Sequence, residues 1–224
     1  MEEDKAFLTR SGQMVPLFTH LNVLPIIAGI IFAVTCILPF FISLIVGRHF
    51  PLTIPTVSES AREFPGSRVF SMGCTIVAMI VGFSGVILLE IPSLHGPSLP
   101  RATKLLPVLV AVFLILLSGF GLDDNVFIHL TCALVGFFSV MCFCGLFFCV
   151  FAKLNLLAMK KFRFVVFIVG AVSLALLALT WPGGNVDPLG SIKSTAEFSF
   201  ILCFAVFVFT TFAELADYQL VLEL

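Results

Sequence analysis

Six apolar stretches, each long enough to cross a lipid bilayer, constrain this chain more than any other feature. About 17–25 apolar residues cross roughly 30 Å of hydrocarbon as a helix. The chain is 60% hydrophobic and only 11% charged, whereas a soluble domain has about 25% charged residues. The sequence therefore predicts an all-α membrane protein, a bundle of six transmembrane helices. Their approximate limits are 23–46, 69–89, 105–121, 127–150, 164–181 and 196–213.

Lysine and arginine residues predict the orientation of the bundle through the positive-inside rule. An even number of spans places both termini on one side, and we expect that side to be the cytosol. It then carries eight of the 12 basic residues. The N-terminal segment 1–22 and the tail 214–224 are accordingly predicted to be cytosolic, and the first span to be retained rather than cleaved as a signal peptide. The loop between the first two spans becomes lumenal or extracellular.

The predicted spans carry no Asp, Glu, Lys, Arg or His at their middle. A charge at the bilayer centre is costly and often marks a transport pathway, so its absence disfavours a pump or a proton-coupled transporter. The net charge is −1, and no basic run favours a nucleic-acid partner. Sequence motifs of hydrolases, metalloproteases and nucleotide-binding proteins are missing. We therefore expect neither a metal nor a cofactor.

The loop from Arg48 to Ser67 is the longest hydrophilic stretch of the chain. Its three prolines, one of them Pro55, disfavour a long helix. Ser60 and Glu63 have the spacing of a capping box, which predicts one short helical turn starting there. Such a loop is expected to present a shaped surface to water.

Polar groups gather at the membrane face that carries this loop. His129 is predicted just inside the fourth span and Glu197 at the start of the sixth. A histidine with carboxylates can bind a metal or act in acid–base chemistry on lipid esters. A structural role is the favoured interpretation, since Ser194 and Glu197 have capping-box spacing and Asp124 is a natural N-cap. The full predicted set is His49, Glu59, Glu63, Asp123, Asp124, His129, Asp187 and Glu197.

Small residues at helical spacing predict how three of the spans associate. Helices in lipid approach closely along small faces, because no hydrophobic force drives them together. The three predicted faces are Ser71, Cys74, Ala78, Gly82 and Gly85; His129, Cys132, Gly136 and Ser139; and Ala171, Ala175 and Ala178.

The only tyrosine lies in the predicted tail, in the run Tyr218-Gln-Leu-Val221. This run matches the tyrosine-x-x-bulky pattern that endosomal sorting adaptors read. The pattern is short and common, and it is compatible with an endolysosomal address.

Four short runs, in order along nearly the whole chain, resemble the damage-regulated autophagy modulator (DRAM) family. Pro55-Thr-Val-Ser58-Glu59 is similar to that family's Pro-x-Ile-Ser-Asp/Glu signature, and His129 to its histidine opening the fourth span. Ala196-Glu197-Phe198 resembles a Glu-Trp pair with phenylalanine in place of tryptophan. Thr210-Thr-Phe-Ala-Glu214 resembles the closing Thr-Phe-x-x-acid run.

The resemblance implies a non-enzymatic endomembrane protein that modulates autophagy or lysosomal function. Its expected location is the lysosome or late endosome, with the Golgi or plasma membrane as alternatives, and its expected partners are membrane lipids and other membrane proteins. The resemblance marks Pro55, Ser58, Glu59, His129 and Glu197 as signature residues. Related six-span proteins imply two alternatives, a GPI-anchor lipid-remodelling factor or an adaptor for a phosphoinositide kinase.

Overall fold

The computed structural model describes residues 14–18, 23–46, 55–90, 101–122, 124–153, 160–180, 189–210 and 220–223. Seven α-helices and two strands lie in these ranges. In chain order they are β1 (Met14–Phe18), α1 (Val23–Ile45), α2 (Val57–Ser60), α3 (Gly66–Glu90), α4 (Leu105–Gly119), α5 (Val126–Lys153), α6 (Lys160–Thr180), α7 (Leu189–Thr210) and β2 (Leu220–Glu223). A 3₁₀ turn at Arg101–Lys104 leads into α4.

The six longer helices form a closed ring. Helices α3 to α7 each pack against the next along the chain, and α1 closes the ring by packing against both α3 and α7. Helices α1, α3, α5, α6 and α7 are long and apolar enough to cross a membrane, whereas α4 has only 15 residues. The fold is therefore the all-helical, membrane-type bundle expected from the apolar stretches.

Glycines set the close contacts between neighbouring helices. A Cβ built on Gly73 of α3 would lie 1.8 Å from Oγ1 of Thr35 in α1, and one built on Gly85 would lie 2.6 Å from Cβ of Pro107 in α4. A Cβ on Gly29 of α1 would lie 2.9 Å from Cβ of Phe209 in α7. Cys74 and Ala78 on α3 are also buried. The predicted small faces of the second and fourth spans thus lie largely at helix interfaces.

The small face predicted for the fifth span is wrong. Ala175 and Ala178 of α6 are exposed, and the buried side of this helix instead includes Gly170, Ser173 and Leu177. Alanine is as acceptable to lipid as to a helix interface, so an alanine stripe alone does not distinguish the two sides.

The last helix begins earlier than its apolar stretch indicated. It starts at Leu189 rather than at 196, so Glu197 lies in its third turn and not at its end. Ser194 is inside the helix, and the predicted capping box of Ser194 and Glu197 is therefore wrong. The polar run Gly190-Ser-Ile-Lys193 lowers the local hydropathy without interrupting the helix.

The two strands join the segments that flank the bundle. β1 and β2 pair antiparallel, with Met14 opposite Glu223 and Pro16 opposite Val221. This pairing was not predicted, because neither segment shows enough alternation to indicate a strand. Because the two strands are hydrogen-bonded to each other, β1 and β2 lie on one side of the bundle.

Arg163, in the first turn of α6, is fully buried at 1% exposure. Its Nε donates a 3.0 Å hydrogen bond to Oγ1 of Thr210, and its Nη2 donates to the Thr210 carbonyl at the end of α7. The guanidinium also lies 6.0 Å from the centroid of the Phe207 ring. A helix C-terminus leaves carbonyls without intrahelical partners, so Arg163 satisfies one of them.

Replacing Arg163 with methionine is expected to lower the stability of the bundle by about 1–2 kcal/mol, since a buried carbonyl loses its donor. Thermal unfolding of the purified protein in detergent measures this change. Lys161→Met is the matched control, because Lys161 is exposed in the same turn. Equal destabilisation by both variants would contradict the capping role.

Candidate functional site

Helix α2 is a single turn that closes one end of the bundle. Thr56 is its N-cap: Thr56 Oγ1 accepts from the Glu59 amide at 3.1 Å, and the Glu59 carboxylate accepts from the Thr56 amide at 2.8 Å. The capping box predicted for Ser60 and Glu63 is therefore wrong, because the same spacing four residues earlier is the one used. The carboxylate of Glu59, a predicted site residue, accepts a hydrogen bond within this cap.

Helix α2 packs into the bundle rather than lying on it. Val57 is fully buried, and Pro55 just before the turn is buried as well. Ser43, near the end of α1, donates a 2.9 Å hydrogen bond to the Ser60 carbonyl. The turn is thus held both by apolar contacts and by a buried hydrogen bond.

Glu197 of α7 is hydrogen-bonded to α2. Its Oε2 accepts from the Val57 amide at 3.1 Å, and its Oε1 lies 3.4 Å from Ser58 Oγ. The side chain is 7% exposed. A carboxylate this far from water requires hydrogen-bond donors, and α2 supplies two of them.

His129 of α5 completes a chain of hydrogen bonds through Ser58. Its Nε2 lies 3.1 Å from Ser58 Oγ, and its Nδ1 lies 2.7 Å from the Phe120 carbonyl. A carbonyl oxygen only accepts, so Nδ1 carries a proton, and in the neutral ring Nε2 is the acceptor. His129 is 3% exposed. The set formed by Val57 N–H, Ser58, His129, Glu197 and the Phe120 carbonyl is called here the polar network.

Two proton arrangements satisfy the side chains of the polar network. In one, a protonated Glu197 donates to Ser58, and Ser58 donates to Nε2 of His129. In the other, an imidazolium donates to Ser58, and Ser58 donates to the Glu197 carboxylate. Both contain the same number of protons, so they interconvert by a shift along two hydrogen bonds. The network can hold α2 in place in either arrangement.

The order of the three side chains differs from that of a serine hydrolase. In the Ser-His-Asp arrangement, imidazole lies between the nucleophile and the carboxylate. Here Ser58 lies in the middle, and a backbone carbonyl occupies the place of the acid on Nδ1 of His129. Ser58 therefore has a base within reach, but its hydroxyl also faces a second acceptor.

Asp124 does not join this group. Its Oδ2 accepts from the Gly121 amide at 2.8 Å, closing the turn before α5. The N-cap of α5 is Asn125, whose Oδ1 accepts from the Ile128 amide at 3.1 Å. The prediction of Asp124 as N-cap is wrong by one residue. Among the residues that the structure describes, no three His, Cys, Asp or Glu side chains are placed to hold a metal ion.

Several predicted residues lie outside the described part of the chain. They are His49, Asp123, Asp187, Tyr218 and residues 211–214 of the closing run. Val221, the bulky residue of the tyrosine pattern, lies in β2 opposite Pro16.

Phe198 follows Glu197 at the position where the resembled family has tryptophan. Its ring packs edge-on against Phe40 of α1, with centroids 6.3 Å apart. The substituted aromatic residue therefore still contributes to the contact between α7 and α1.

Two features of this end of the bundle were not predicted from the sequence. The first is the capping box at Thr56, which the spacing of Thr56 and Glu59 would have indicated. The second is a polar groove of about 380 Å³ beside the polar network, lined in part by Ser58, His129, Arg62 and Arg68. A separate cavity of about 40 Å³ on another side of the network touches Glu59, Lys193 and Glu197.

A family model describing the Frag1/DRAM/Sfk1/Cwh43P N-terminal domain matches residues 20–218. This match confirms the resemblance inferred from the four short runs. No curated protein and no solved structure matches the chain.

Proposed function

The chain belongs to the Frag1/DRAM/Sfk1/Cwh43P family, and from this premise we propose that it is a non-enzymatic multi-pass regulator of endomembranes that modulates autophagy or lysosomal function. In this proposal the end of the bundle that carries α2 and the polar network binds membrane lipids and other membrane proteins. Its proposed compartment is the lysosome or late endosome.

The proposed topology has six crossings and cytosolic termini. Pairing of β1 with β2 supports an even number of crossings, and the lysine and arginine distribution supports the cytosol for that side. The end of the bundle that carries α2 and the polar network is then lumenal. Labelling of single introduced cysteines with a membrane-impermeant reagent tests this arrangement.

One observation carries the non-enzymatic proposal: Ser58 lies between His129 and Glu197, and Glu197 also accepts from the Val57 amide. The first of these contacts joins α2 to α5, and the other two join α2 to α7. Both helices are far from α2 in the sequence. A serine placed to attack an ester would need its hydroxyl directed at a base and its oxygen open to substrate. The arrangement supports a network that shapes a surface rather than one that turns over a substrate.

Autophagic flux in cells depleted of the protein, and in cells re-expressing it, tests the proposed function. We expect depletion to change flux and the tagged protein to colocalise with a lysosomal marker. A protein confined to the plasma membrane, with unchanged flux, would support the kinase-adaptor alternative instead.

The Ser58–His129 contact favours a second candidate, transfer or hydrolysis of a lipid acyl ester. In that case Ser58 would lose its proton to Nε2 of His129 as its oxygen attacks the ester carbonyl. The imidazolium would then protonate the departing lipid alkoxide as the ester C–O bond breaks, which leaves the acyl group on Ser58 for transfer to water or to another hydroxyl. A GPI-anchor lipid is the alternative substrate that the family suggests. The 3.1 Å distance and the adjoining groove supply the geometry for this chemistry.

Incubating the purified protein in liposomes with an ester-linked GPI lipid separates the two candidates. The regulator proposal expects no acylated or deacylated product from the wild-type chain. Product that disappears in both Ser58→Ala and His129→Ala, while Glu63→Ala retains it, would establish the enzyme instead.

A further inference from the structure

The groove beside the polar network is open, polar and positively charged. Arg62 and Arg68 line it and are exposed, and the half-buried residues Ser58, Ser67 and Ser71 line it as well. Asp124 also lines the groove, and its Oδ2 already accepts from the Gly121 amide. The two guanidinium groups leave the lining with a formal charge of +1.

The groove lies where the headgroups of a bilayer would be. Apolar helix α3 begins at Gly66, so Arg62 and Arg68 flank the point at which it enters the membrane. Phe64, between them, is 77% exposed, and Phe127 at the start of α5 is 79% exposed. Phenylalanine rings so exposed at the edge of a membrane domain favour contact with acyl chains over contact with water, while arginine side chains reach up to the headgroups.

The short helix α4 ends at this groove. With 15 residues it rises roughly 23 Å at 1.5 Å per residue, which is less than the hydrocarbon thickness of about 30 Å. Its last turn, with Leu117 and Ser118, forms part of the groove wall. A lipid beside α3 and α4 would therefore have its headgroup next to the groove that both arginines line.

Taken together, the geometry points to a binding site for the phosphate of a membrane lipid headgroup, with Arg62 and Arg68 as the anion ligands. Guanidinium presents two parallel donors that match phosphate oxygens, and the hydroxyls of Ser67 and Ser71, which line the groove outside the polar network, supply further donors. The exposed apolar rim selects a lipid over a soluble phosphate ester, because it gives acyl chains a surface to follow. The proposed function has the chain bind membrane lipids, and this inference names their class as lipids with a headgroup phosphate. It rests on the proposed function only for its biological use.

Native mass spectrometry of the full chain from nanodiscs, with and without dioleoyl phosphatidic acid in phosphatidylcholine, tests the site. We expect the wild-type chain to retain phosphatidic acid and the double variant Arg62→Gln/Arg68→Gln to bind it at least about tenfold more weakly. The matched control is Lys160→Gln/Lys161→Gln, which removes two charges from the opposite end of the bundle and should retain this binding. Thermal unfolding checks that both variants are folded.

Two soluble probes distinguish a lipid from free phosphate. Inorganic phosphate and glycerol 3-phosphate should fail to displace phosphatidic acid at concentrations where the lipid is saturating. Displacement by either one would overturn the lipid assignment. Equal losses in the arginine and lysine variants would also overturn it, since they would indicate attraction by charge alone.

The failure of this inference is distinguishable from failure of the proposed function. Undiminished lipid binding by Arg62→Gln/Arg68→Gln, with normal localisation and autophagic flux, would refute only the headgroup site. A wild-type chain without effect on flux would refute the proposed function whatever lipid it binds.

Discussion

Replacing Gly73 with leucine is expected to destabilise the bundle by about 3 kcal/mol or more, at the upper end of overpacking effects. A Cβ at this position would lie 1.8 Å from Oγ1, 2.7 Å from Cγ2 and 2.8 Å from Cβ of Thr35. Because the last of these atoms is attached to the backbone of α1, rotation of Thr35 cannot relieve the overlap. Thermal unfolding in detergent and the yield of folded protein measure the effect.

The matched control is Gly119→Leu. Gly119 is exposed at the end of α4, and a Cβ there meets no heavy atom within 4 Å. Its replacement should leave the unfolding temperature almost unchanged. Adding Thr35→Ala to the Gly73 variant should restore only part of the lost stability, because the 2.8 Å contact to Cβ remains. Equal stability of the two leucine variants would contradict close packing of α1 and α3.

Replacing Glu197 with alanine is the second large effect, expected at about 3 kcal/mol. The change leaves the buried Val57 amide without its acceptor, which costs about 1–3 kcal/mol, and it leaves a cavity that adds to the loss. The Ser58 hydroxyl can still donate to Nε2 of His129. Hydrogen exchange at Val57, Ser60 and Ala61 should accelerate more than exchange in α3, because α2 loses its attachment to α7. Thermal unfolding gives the overall loss of stability.

Two further variants make the Glu197 result specific. Glu197→Gln keeps an oxygen that can accept from the Val57 amide, so it should retain most of the stability. Glu63→Ala changes an exposed carboxylate near the same turn and should have little effect. Slow exchange at α2 in Glu197→Ala would show that other contacts hold the turn.

Long apolar stretches made the helices easy to predict from sequence. Uninterrupted runs of apolar residues without charges favour helix, and the structure has a helix over most of each of the six stretches. The helix ends were harder to predict because polar residues such as Lys193 can continue a helix at the membrane edge. Glu197 was consequently predicted at the first residues of α7, whereas it lies in the third turn of that helix.

The polar network could be predicted only in part. The DRAM resemblance marked Ser58, His129 and Glu197 individually, but Ser58 and Glu197 are 139 residues apart in the chain. Their contact depends on which faces of α5 and α7 are buried in the bundle. The hydropathy of these helices is nearly uniform around the helix axis, so the sequence pattern does not indicate the buried face. The choice between the Thr56 and Ser60 capping boxes likewise depends on burial of Val57, which is a tertiary effect.

In the six-span arrangement proposed above, helix α4 is too short to match an undeformed bilayer. Lipids beside it must thin or tilt, and each ångström of hydrophobic mismatch costs a fraction of a kcal/mol. The protein should therefore partition toward thinner bilayers and away from thick, sterol-rich ones. Lengthening α4 by one apolar turn would relieve this elastic stress and shift the protein toward thicker membranes.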